Sequence, residues 1–450
     1  MSALHYSDFI APRNSEWHFT PTVRDEILSF GAADTQTLEK VHHALLNIGQ
    51  TGDQRLARSV IPGYLFTKGG QAYHLAALGE VEPAMQLYSS AASGELNGAQ
   101  WLAELSAEQE AKQIIPSGRI ETTFLRAMVL NREGNRKEAE PLFAQISSSD
   151  EVRHEVAISC HILAGMIARR SAKDAEHLFR KSIRIKREVH DLEGLAHSLH
   201  SLANLIGFRA SGEAEELYQE SIEIGREIGK SHHVAQALHS FAKMIGRDRN
   251  RSVEAEKLYR ESIEIGDDHT VAQALHSFAN MIGRDRNRSV EAEKLYRESV
   301  EILRDIGDAY GVAQTLHSLA NMLGRNRERS AEAEDLYRES IQIDRNLGNS
   351  NGVAQALHSL GILLQRDRQR IDEAEDLLVE SLEILEKDND LRGQAQVLRT
   401  LSFVAETHGD YPKAESLLER ALDLNQRGRD RNGVRIVRQS LDQLRKRHDL

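Results

Sequence analysis

Residues 234–265 read VAQALHSFAKMIGRDRNRSVEAEKLYRESIEI, and residues 271–302 repeat this stretch with two changes. Lys243 of the first copy becomes Asn280 in the second, and Ile263 becomes Val300. The copies start at positions 234 and 271, which are 37 residues apart. Self-similarity at a fixed period of this length is the sequence signature of a repeat protein. The 450-residue chain is therefore expected to stack copies of one small unit rather than to fold around a single core.

Each copy carries the apolar periodicity of two α-helices. The first half places residues at i, i+3, i+4 and i+7, which form one stripe of a helix: Leu238, Phe241, Ala242 and Ile245. The second half does the same: Ala255, Leu258, Tyr259, Ser262 and Ile263. Between them, Gly246 is expected to end the first helix and Ser252 to cap the second. One helix pair has too little apolar surface to fold alone, so the pattern predicts a solenoid of stacked pairs.

Charge and cysteine content disfavour several classes of protein. The formal net charge is −12, which opposes general binding to nucleic acids or to anionic membranes. Cys160 is the only cysteine, so neither an intrachain disulfide nor a thiolate zinc site is expected. No segment resembles a signal peptide, and no apolar run approaches the roughly 18 residues of a membrane span. We therefore expect a cytoplasmic protein without a membrane partner.

The regularity of the repeats divides the chain into four parts. Residues 1–21 show no periodicity and are expected to form an extended N-terminal arm. Residues 22–150 contain weaker helical patterns and are interpreted as diverged helical repeats. The register is firm over 151–432, where the repeats are about 37–41 residues long. Residues 433–450 are expected to form a capping helix with a largely polar outer face.

Local differences in length are informative within this scheme. In the diverged part, the clearest helix pairs are expected at 64–92 and 121–146. In the regular part, the link after Ile265 reads GDDHT, whereas the link after Ile302 reads LRDIGDAYG and is four residues longer. Four residues are close to one helical turn. We therefore expect the second helix of the 37-residue unit to end one turn early and to leave a local notch.

Small and large residues alternate in the second helix of each repeat in a way that resembles the tetratricopeptide repeat. The resemblance rests on Ala255, Tyr259 and Ser262, on their counterparts Ala292, Tyr296, Ser299, Ala333, Tyr337 and Ser340, and on the run Leu316-x-x-Leu319-Ala320. The period near 40 residues is similar to the longer variant in kinesin light chains and in bacterial regulatory proteins with helical-repeat arms. Two features depart from the family: no proline follows the second helix, and an Arg-rich segment extends the loop between the helices. The resemblance implies an all-α, right-handed superhelical solenoid of antiparallel helix pairs.

The resemblance also implies that the first helix of each pair presents a polar stripe to a ligand on the concave side. In this sequence the stripe consists of Asn204, Gln236, His239, Lys243, Gln273, His276, Asn280, Gln314, His317, Asn321, Gln355 and His358. Amide side chains donate and accept hydrogen bonds, as the backbone of an extended peptide does. We therefore expect these residues to bind a peptide or protein segment. In the alternative interpretation, the amides bond across neighbouring repeats and set the curvature.

Two further sets of residues, which we call ladders, recur at equivalent positions of successive repeats. The histidines at 161, 200, 239, 276, 317 and 358 suggest a metal site, a pH-sensitive groove or plain polar packing, and no carboxylate or thiolate completes a metal site at fixed spacing. The loops carry arginines that are a possible edge for an acidic partner: Arg247, Arg249, Arg284, Arg286, Arg325, Arg327, Arg366 and Arg368. The alternatives for this edge are phosphate binding and a solvated surface paired with the glutamates that open each following helix.

The sequence favours a non-enzymatic scaffold or adaptor for protein–protein interaction that binds a peptide or protein segment in its concave groove. No motif predicts a catalytic residue, a metal site or a cofactor, because Gly69-Gly70 and Gly49-Gln-Thr-Gly52 lack the Lys-Ser/Thr of a phosphate loop. The alternative is a sensor or regulatory subunit that controls a separate effector enzyme docked on the N-terminal third. A second alternative is nucleic-acid binding through the Arg-rich edge.

Overall fold

The computed structural model describes residues 10–13, 16–19, 68–93, 103, 106–107 and 109–448. Two short strands, β1 (Ile10–Arg13) and β2 (Glu16–Phe19), pair antiparallel within the segment expected to be an extended arm. Of the part interpreted as diverged helical repeats, residues 22–67 lie outside the described residues.

The helices that follow, numbered in chain order, are α1 (Lys68–Ala77), α2 (Val81–Ser93), α3 (Ile120–Arg132), α4 (Arg136–Ser147), α5 (His154–Ile167), α6 (Ala172–Glu188), α7 (Leu192–Ile206), α8 (Ser211–Glu227), α9 (Ser231–Ile245), α10 (Ser252–Ile265), α11 (Asp268–Ile282), α12 (Ser289–Asp305), α13 (Ala309–Leu323), α14 (Ser330–Asn346), α15 (Ser350–Leu364), α16 (Ile371–Lys387), α17 (Leu391–His408), α18 (Tyr411–Arg427) and α19 (Arg431–His448). Helices α1–α2 and α3–α4 are the pairs that the sequence predicts in its diverged part. The expected all-α solenoid is confirmed: the helices α1–α8 pack on one another in sequence order, and so do α9–α19.

The chain divides into two compact units. Unit 1 spans Met1–Ile228 and contains α1–α8, and unit 2 spans Gly229–Leu450 and contains α9–α19. Within each unit, the apolar stripes read from the sequence are buried between the helices. In unit 2, for example, Leu275 and Phe278 of α11 and Tyr296 of α12 are each at most 2% exposed.

A buried serine joins the two helices of each of six successive pairs, from α5–α6 to α15–α16. The Ser299 hydroxyl of α12 donates a hydrogen bond of 2.8 Å to the Ala272 carbonyl of α11. The equivalent bond recurs along the chain from Ser182 to Ala157, Ser221 to Ala196, Ser262 to Ala235, Ser340 to Ala313 and Ser381 to Ala354. The small residue at this position therefore does more than allow close approach, because its hydroxyl fixes the pairing of the two helices.

The turn between the helices of a pair differs in one detail from the expectation. Gly246 follows the last residue of α9, as predicted, and a Cβ there would lie 2.8 Å from the Met281 sulfur and 2.9 Å from the Ala242 carbonyl oxygen. The prediction that Ser252 caps α10 is wrong, because Ser252 is already the first helical residue and makes no cap. Asp248 caps instead, since its carboxylate accepts from the Asn250 N–H and opens a 3-10 turn that runs into α10.

The shortened second helix is confirmed. Helix α10 has 14 residues, whereas its near-copy α12 has 17. The position that Leu303 fills in α12, where this leucine is 3% exposed, is occupied by Gly266 after α10. The chain then enters α11 at once, with Asp267 capping the new helix through the Thr270 N–H.

The last helix closes the core of unit 2. Helix α19 buries Val437, Leu441 and Leu444 in a cluster that includes Leu418 of α18 and Leu401 of α17. Its other positions are mostly exposed and polar. No helix in the described part of the chain is long and apolar enough to cross a membrane.

Candidate functional site

The first helices of three consecutive pairs in unit 2 line a groove of about 870 Å³. From the predicted stripe the groove collects His239, Lys243, Gln273, His276, Asn280 and Gln314, and from the predicted arginine edge it collects Arg247, Arg284 and Arg325. Asn204, Gln236, His317, Asn321, Gln355 and His358 lie outside this lining, as do Arg249, Arg286, Arg327, Arg366 and Arg368. The structure therefore brings half of the predicted stripe together around α11.

The asparagine of the stripe is held by its own helix pair. The Asn280 Oδ1 accepts a hydrogen bond of 2.9 Å from the Tyr296 hydroxyl, and its Nδ2 donates to the His276 carbonyl at 3.1 Å. Asn321 makes the same two bonds with Tyr337 and the His317 carbonyl. These bonds remain within one pair, so these two amides do not link neighbouring repeats. An amide has two donors and two acceptor sites, so the exposed Asn280 retains one of each for a ligand.

The histidines, not the asparagines, bond across repeats. His276 Nδ1 lies 2.9 Å from the Thr315 hydroxyl, and His161 Nδ1 lies 3.0 Å from the Ser198 hydroxyl. In three other repeats the Nε2 atom bonds instead, at 2.9–3.0 Å, to a hydroxyl farther along the next first helix: His239 to Ser277, His317 to Ser359 and His358 to Thr400. Each of these rings is thereby fixed in orientation by the repeat that follows.

The neighbouring sequence explains which ring nitrogen bonds. The deciding residue lies two places before the histidine of the next repeat. When it has a hydroxyl, as Thr315 does two places before His317, the Nδ1 atom of the histidine one repeat earlier, His276, bonds to that hydroxyl. Where that residue is alanine, as Ala274 is before His276, the ring turns and Nε2 reaches the serine one place after the ladder position. The orientation of each ring is therefore encoded one repeat away.

Burial favours the neutral form of His161, His276, His317 and His358 by lowering the pKa of each. Desolvation lowers the pKa of His276 to about 4, and the nearby Lys243 ammonium adds to the shift. Burial likewise lowers the pKa of His358 to about 4, with a contribution from Arg399, and it lowers the pKa of His161 to about 3. A pH-sensitive groove that depends on the titration of His276 is therefore not supported between pH 5.5 and 8. The ladder acts as polar packing between repeats.

The glutamines of the stripe reach back one turn along their own helices. Gln273 Nε2 lies 2.7 Å from His269 Nε2, and Gln236 Nε2 lies 2.9 Å from His232 Nε2. The other nitrogen of His232 lies 2.9 Å from a carboxylate oxygen of Asp267, at the start of the next first helix. Gln273 and Gln314 are exposed to the groove and remain reachable by a ligand.

The sequence interpretation missed the end of the groove nearest the start of the first helices. Tyr310, which is 56% exposed, Asp308 and His269 line the groove there. The signal was present in the longer link LRDIGDAYG, because its Asp308 caps α13 through the Gly311 N–H and places Tyr310 on the first turn. Cationic side chains line the opposite end, where α9, α11 and α13 finish: Lys243, Arg247, Arg284 and Arg325.

The arginines of each loop have different partners. The third arginine of the turn is bound by glutamates: Arg288 contacts Glu256 and Glu291 at 2.8 Å each, and Arg370 contacts Glu334 and Glu373 at 2.6 and 2.7 Å. The first arginine instead caps the preceding first helix, as Arg325 does by donating to the Gly283 carbonyl at 3.0 Å. These bonds lie mostly between neighbouring repeats. The third arginine of each loop, which lies beside the predicted edge, thus belongs to an ion-paired surface that ties the repeats together, and Arg325 and Arg366 of the predicted edge bond to backbone carbonyls.

No cluster of three or more histidine, cysteine, aspartate or glutamate side chains suited to a metal ion exists among the described residues. Cys160 is buried and unpaired, and burial raises the pKa of its thiol. The polar groups that line the groove are amides, imidazoles, hydroxyls, guanidinium groups, the Lys243 ammonium and the Asp308 carboxylate.

Known proteins of similar sequence or structure agree with the observed fold. The family model described as tetratricopeptide repeat matches residues 270–346, 311–387 and 352–427, and the model of anaphase-promoting complex subunit 5 matches 157–209. The apo form of the quorum sensor NprR from B. thuringiensis is similar in structure, with a TM-score of 0.55 and 14% sequence identity over 77% of this chain and 98% of its own. Yeast Tom70 is similar with a TM-score of 0.51 and 15% identity over 95% of this chain and 89% of its own. No curated protein sequence gives a significant match.

These two structural similarities are at low identity and establish the fold alone. The three matched windows coincide with α11–α18, and the same pairing of helices, with the buried Ala–Tyr–Ser pattern, extends through α9–α10. Residues 270–427 of this chain are built of tetratricopeptide repeats.

Proposed function

We propose that the groove of unit 2 binds an extended peptide or protein segment, and that the protein is a non-enzymatic scaffold for protein–protein interaction. The observation that carries this proposal is the hydrogen bonding of the Asn280 amide. Two of its hydrogen-bonding sites are used to fix the amide, and the remaining donor and acceptor are exposed in the groove. A fixed donor–acceptor pair matches the N–H and C=O of one peptide unit, and it loses little entropy on binding.

Affinity in such a groove comes from several contacts. One hydrogen bond contributes only about 0.5–1.5 kcal/mol net, so Asn280 alone does not retain a ligand. The exposed amides of Gln273 and Gln314 flank it, and Tyr310 offers an aromatic surface at one end. A ligand that uses these groups spans α11 and α13. Partner selection then depends on the ligand side chains that face Tyr310 and the cationic end.

The proposal is tested with a pair of equivalent asparagines. Asn280 and Asn321 make the same bonds in successive pairs, but only Asn280 lines the groove. A synthetic peptide library is screened for binding to the full chain, and the best binders are measured with Asn280→Ala and Asn321→Ala. We expect a loss of about 2- to 13-fold in affinity for the first variant and no change for the second. Equal effects of the two substitutions, or no peptide binder at all, would contradict the proposal.

A regulatory subunit remains the second candidate, because a ligand in this groove contacts three successive first helices at once. Such a ligand constrains the relative positions of the three helices, which is what a sensor requires. Purification of the protein from a native source distinguishes the regulatory subunit from the scaffold. A stoichiometric enzyme partner, released by a groove-binding peptide, indicates regulation, and its absence favours the scaffold.

A further inference from the structure

Four arginines along one edge of unit 2 make no ion pair within the described part of the chain: Arg249, Arg286, Arg327 and Arg368. Each is exposed and is the first residue of the 3-10 turn between the helices of a pair. The last residue of each turn is also an arginine, and a glutamate binds it: these residues are Arg251, Arg288, Arg329 and Arg370. The chain has 69 acidic residues, so acidic groups are not scarce. These four arginines lack an acidic partner among the described residues because of where they lie.

The turns that carry this row are held rigidly. In the second of them, the Asp285 carboxylate accepts from the Asn287 N–H at 2.9 Å, which fixes the backbone beside Arg286. Arg288 is bound by Glu256 of the preceding pair and by Glu291 of its own helix. Only the side chain of Arg286 therefore loses freedom when it binds a partner.

Two exposed valines lie beside the row. Val253 is 68% exposed and Val290 is 80% exposed, and each follows the row arginine of its turn by four residues, on the first turn of the next helix. An exposed isopropyl group gains free energy only when an apolar group covers it. A nucleic-acid backbone presents mainly charged phosphate oxygens at its outer surface, whereas a protein helix presents methylene and methyl groups beside its carboxylates. The combination favours a protein partner over a nucleic acid.

The spacing of the row further defines the partner. Directly packed helices lie about 8–10 Å apart, and the row has one arginine per helix pair, so neighbouring guanidinium groups are expected at intervals on the order of 10 Å. Glutamates at every seventh position of an α-helix recur at about 10.5 Å. Phosphates of a DNA strand advance only about 3.4 Å each. We propose that this edge is a second interaction surface, separate from the groove, that binds an acidic helical segment of a partner protein along the row.

The experiment uses the full chain and a fluorescein-labelled, helix-forming peptide of about 28 residues with glutamate at every seventh position. An isomer of the same composition, with its glutamates clustered at one end, controls for charge. The variant Arg249→Gln/Arg286→Gln/Arg327→Gln removes three row arginines, and Arg431→Gln/Arg435→Gln/Arg438→Gln removes the same charge from exposed positions of α19. Circular dichroism checks that both variants are folded.

Each exposed ion pair contributes a factor of about two to three in affinity, so the row variant is expected to bind the spaced peptide roughly tenfold more weakly. The α19 variant is expected to bind it as the wild type does, and the clustered isomer is expected to bind more weakly than the spaced peptide. The proposal is overturned if the wild type does not bind the spaced peptide, if the row variant binds it equally well, or if single-stranded DNA binds the row more tightly than the peptide.

Discussion

Replacing His276 by glutamine is expected to make unit 2 less sensitive to mild acid. The ring is half-buried, its Nδ1 lies 2.9 Å from the Thr315 hydroxyl, and burial together with Lys243 lowers its pKa from 6.5 to about 4. In the unfolded chain the imidazole regains its ordinary pKa and binds a proton more readily. The unfolded state therefore gains protons first as the pH falls, and stability decreases between about pH 6.5 and 4.

The size of the effect follows from the two pKa values of His276. At pH 5.5 the unfolded imidazole is about nine-tenths protonated, whereas the folded one stays neutral. Between pH 7.5 and 5.5 this difference removes about 1.4 kcal/mol from the free energy of unfolding. Glutamine does not titrate, and its neutral amide can still bond to the Thr315 hydroxyl. The variant should therefore lose about 1.4 kcal/mol less than the wild type over this pH interval.

Urea-induced unfolding of the full chain at pH 7.5 and 5.5, followed by circular dichroism, measures the difference. Leu275→Ala is the control, since Leu275 is 2% exposed in the same helix and its truncation costs about 2–5 kcal/mol without removing a titrating group. The control should lower stability equally at both pH values. An unchanged pH dependence in His276→Gln would refute the view that the ladder histidine is held neutral by burial.

Three further substitutions test other parts of the structure. Lys186 is 3% exposed, its ammonium donates to the Gly194 carbonyl and the Ser198 hydroxyl, and burial lowers its pKa to about 8. Lys186→Met removes the buried charge together with these two bonds, so in thermal unfolding the stability of the variant relative to the wild type should be highest at pH 7 and should fall as the pH rises from 8 towards 10.5, and a pH-independent difference would contradict this reasoning. Ser299→Ala removes the bond to the Ala272 carbonyl and should cost about 1 kcal/mol, measured by urea unfolding, and a neutral result would show that the hydroxyl adds nothing. Arg329→Gln removes the ion pair with Glu293 and should lower stability by about 1 kcal/mol in low salt but much less in 1 M salt, whereas a salt-independent loss would indicate packing instead.

The sequence predicts the helix pairs and their register well because both depend on local periodicity. The stripe of Leu238, Phe241 and Ile245 marks a buried face whatever the partner, and this face is indeed buried. The four-residue difference between two links also predicted the early end of α10, because helix length follows directly from residue count.

The candidate site was less accessible to sequence reasoning because its polar bonds depend on side-chain orientation. His276 and Asn280 belong to one stripe, yet the first bonds to the next repeat and the second to the tyrosine of its own pair. Tyr310 lies in the groove because Asp308 caps α13 and places Tyr310 on its first turn. A search for residues that repeat between units does not detect this cap. The Ser252 prediction was wrong for a related reason, since an aspartate four residues earlier opens a 3-10 turn first.

The early end of α10 also bears on how the chain avoids mispairing while it folds. Hairpins α9–α10 and α11–α12 have almost the same sequence, so a folding chain meets two nearly interchangeable copies of one building block. Repeat proteins with such copies are prone to misassembly between neighbours. The block that ends in Gly266 has no side chain to fill the place where Leu303 packs against Val312 and Leu316. The missing turn therefore makes the two copies different, because only the copy that ends in α12 presents a leucine to Val312 and Leu316 of α13.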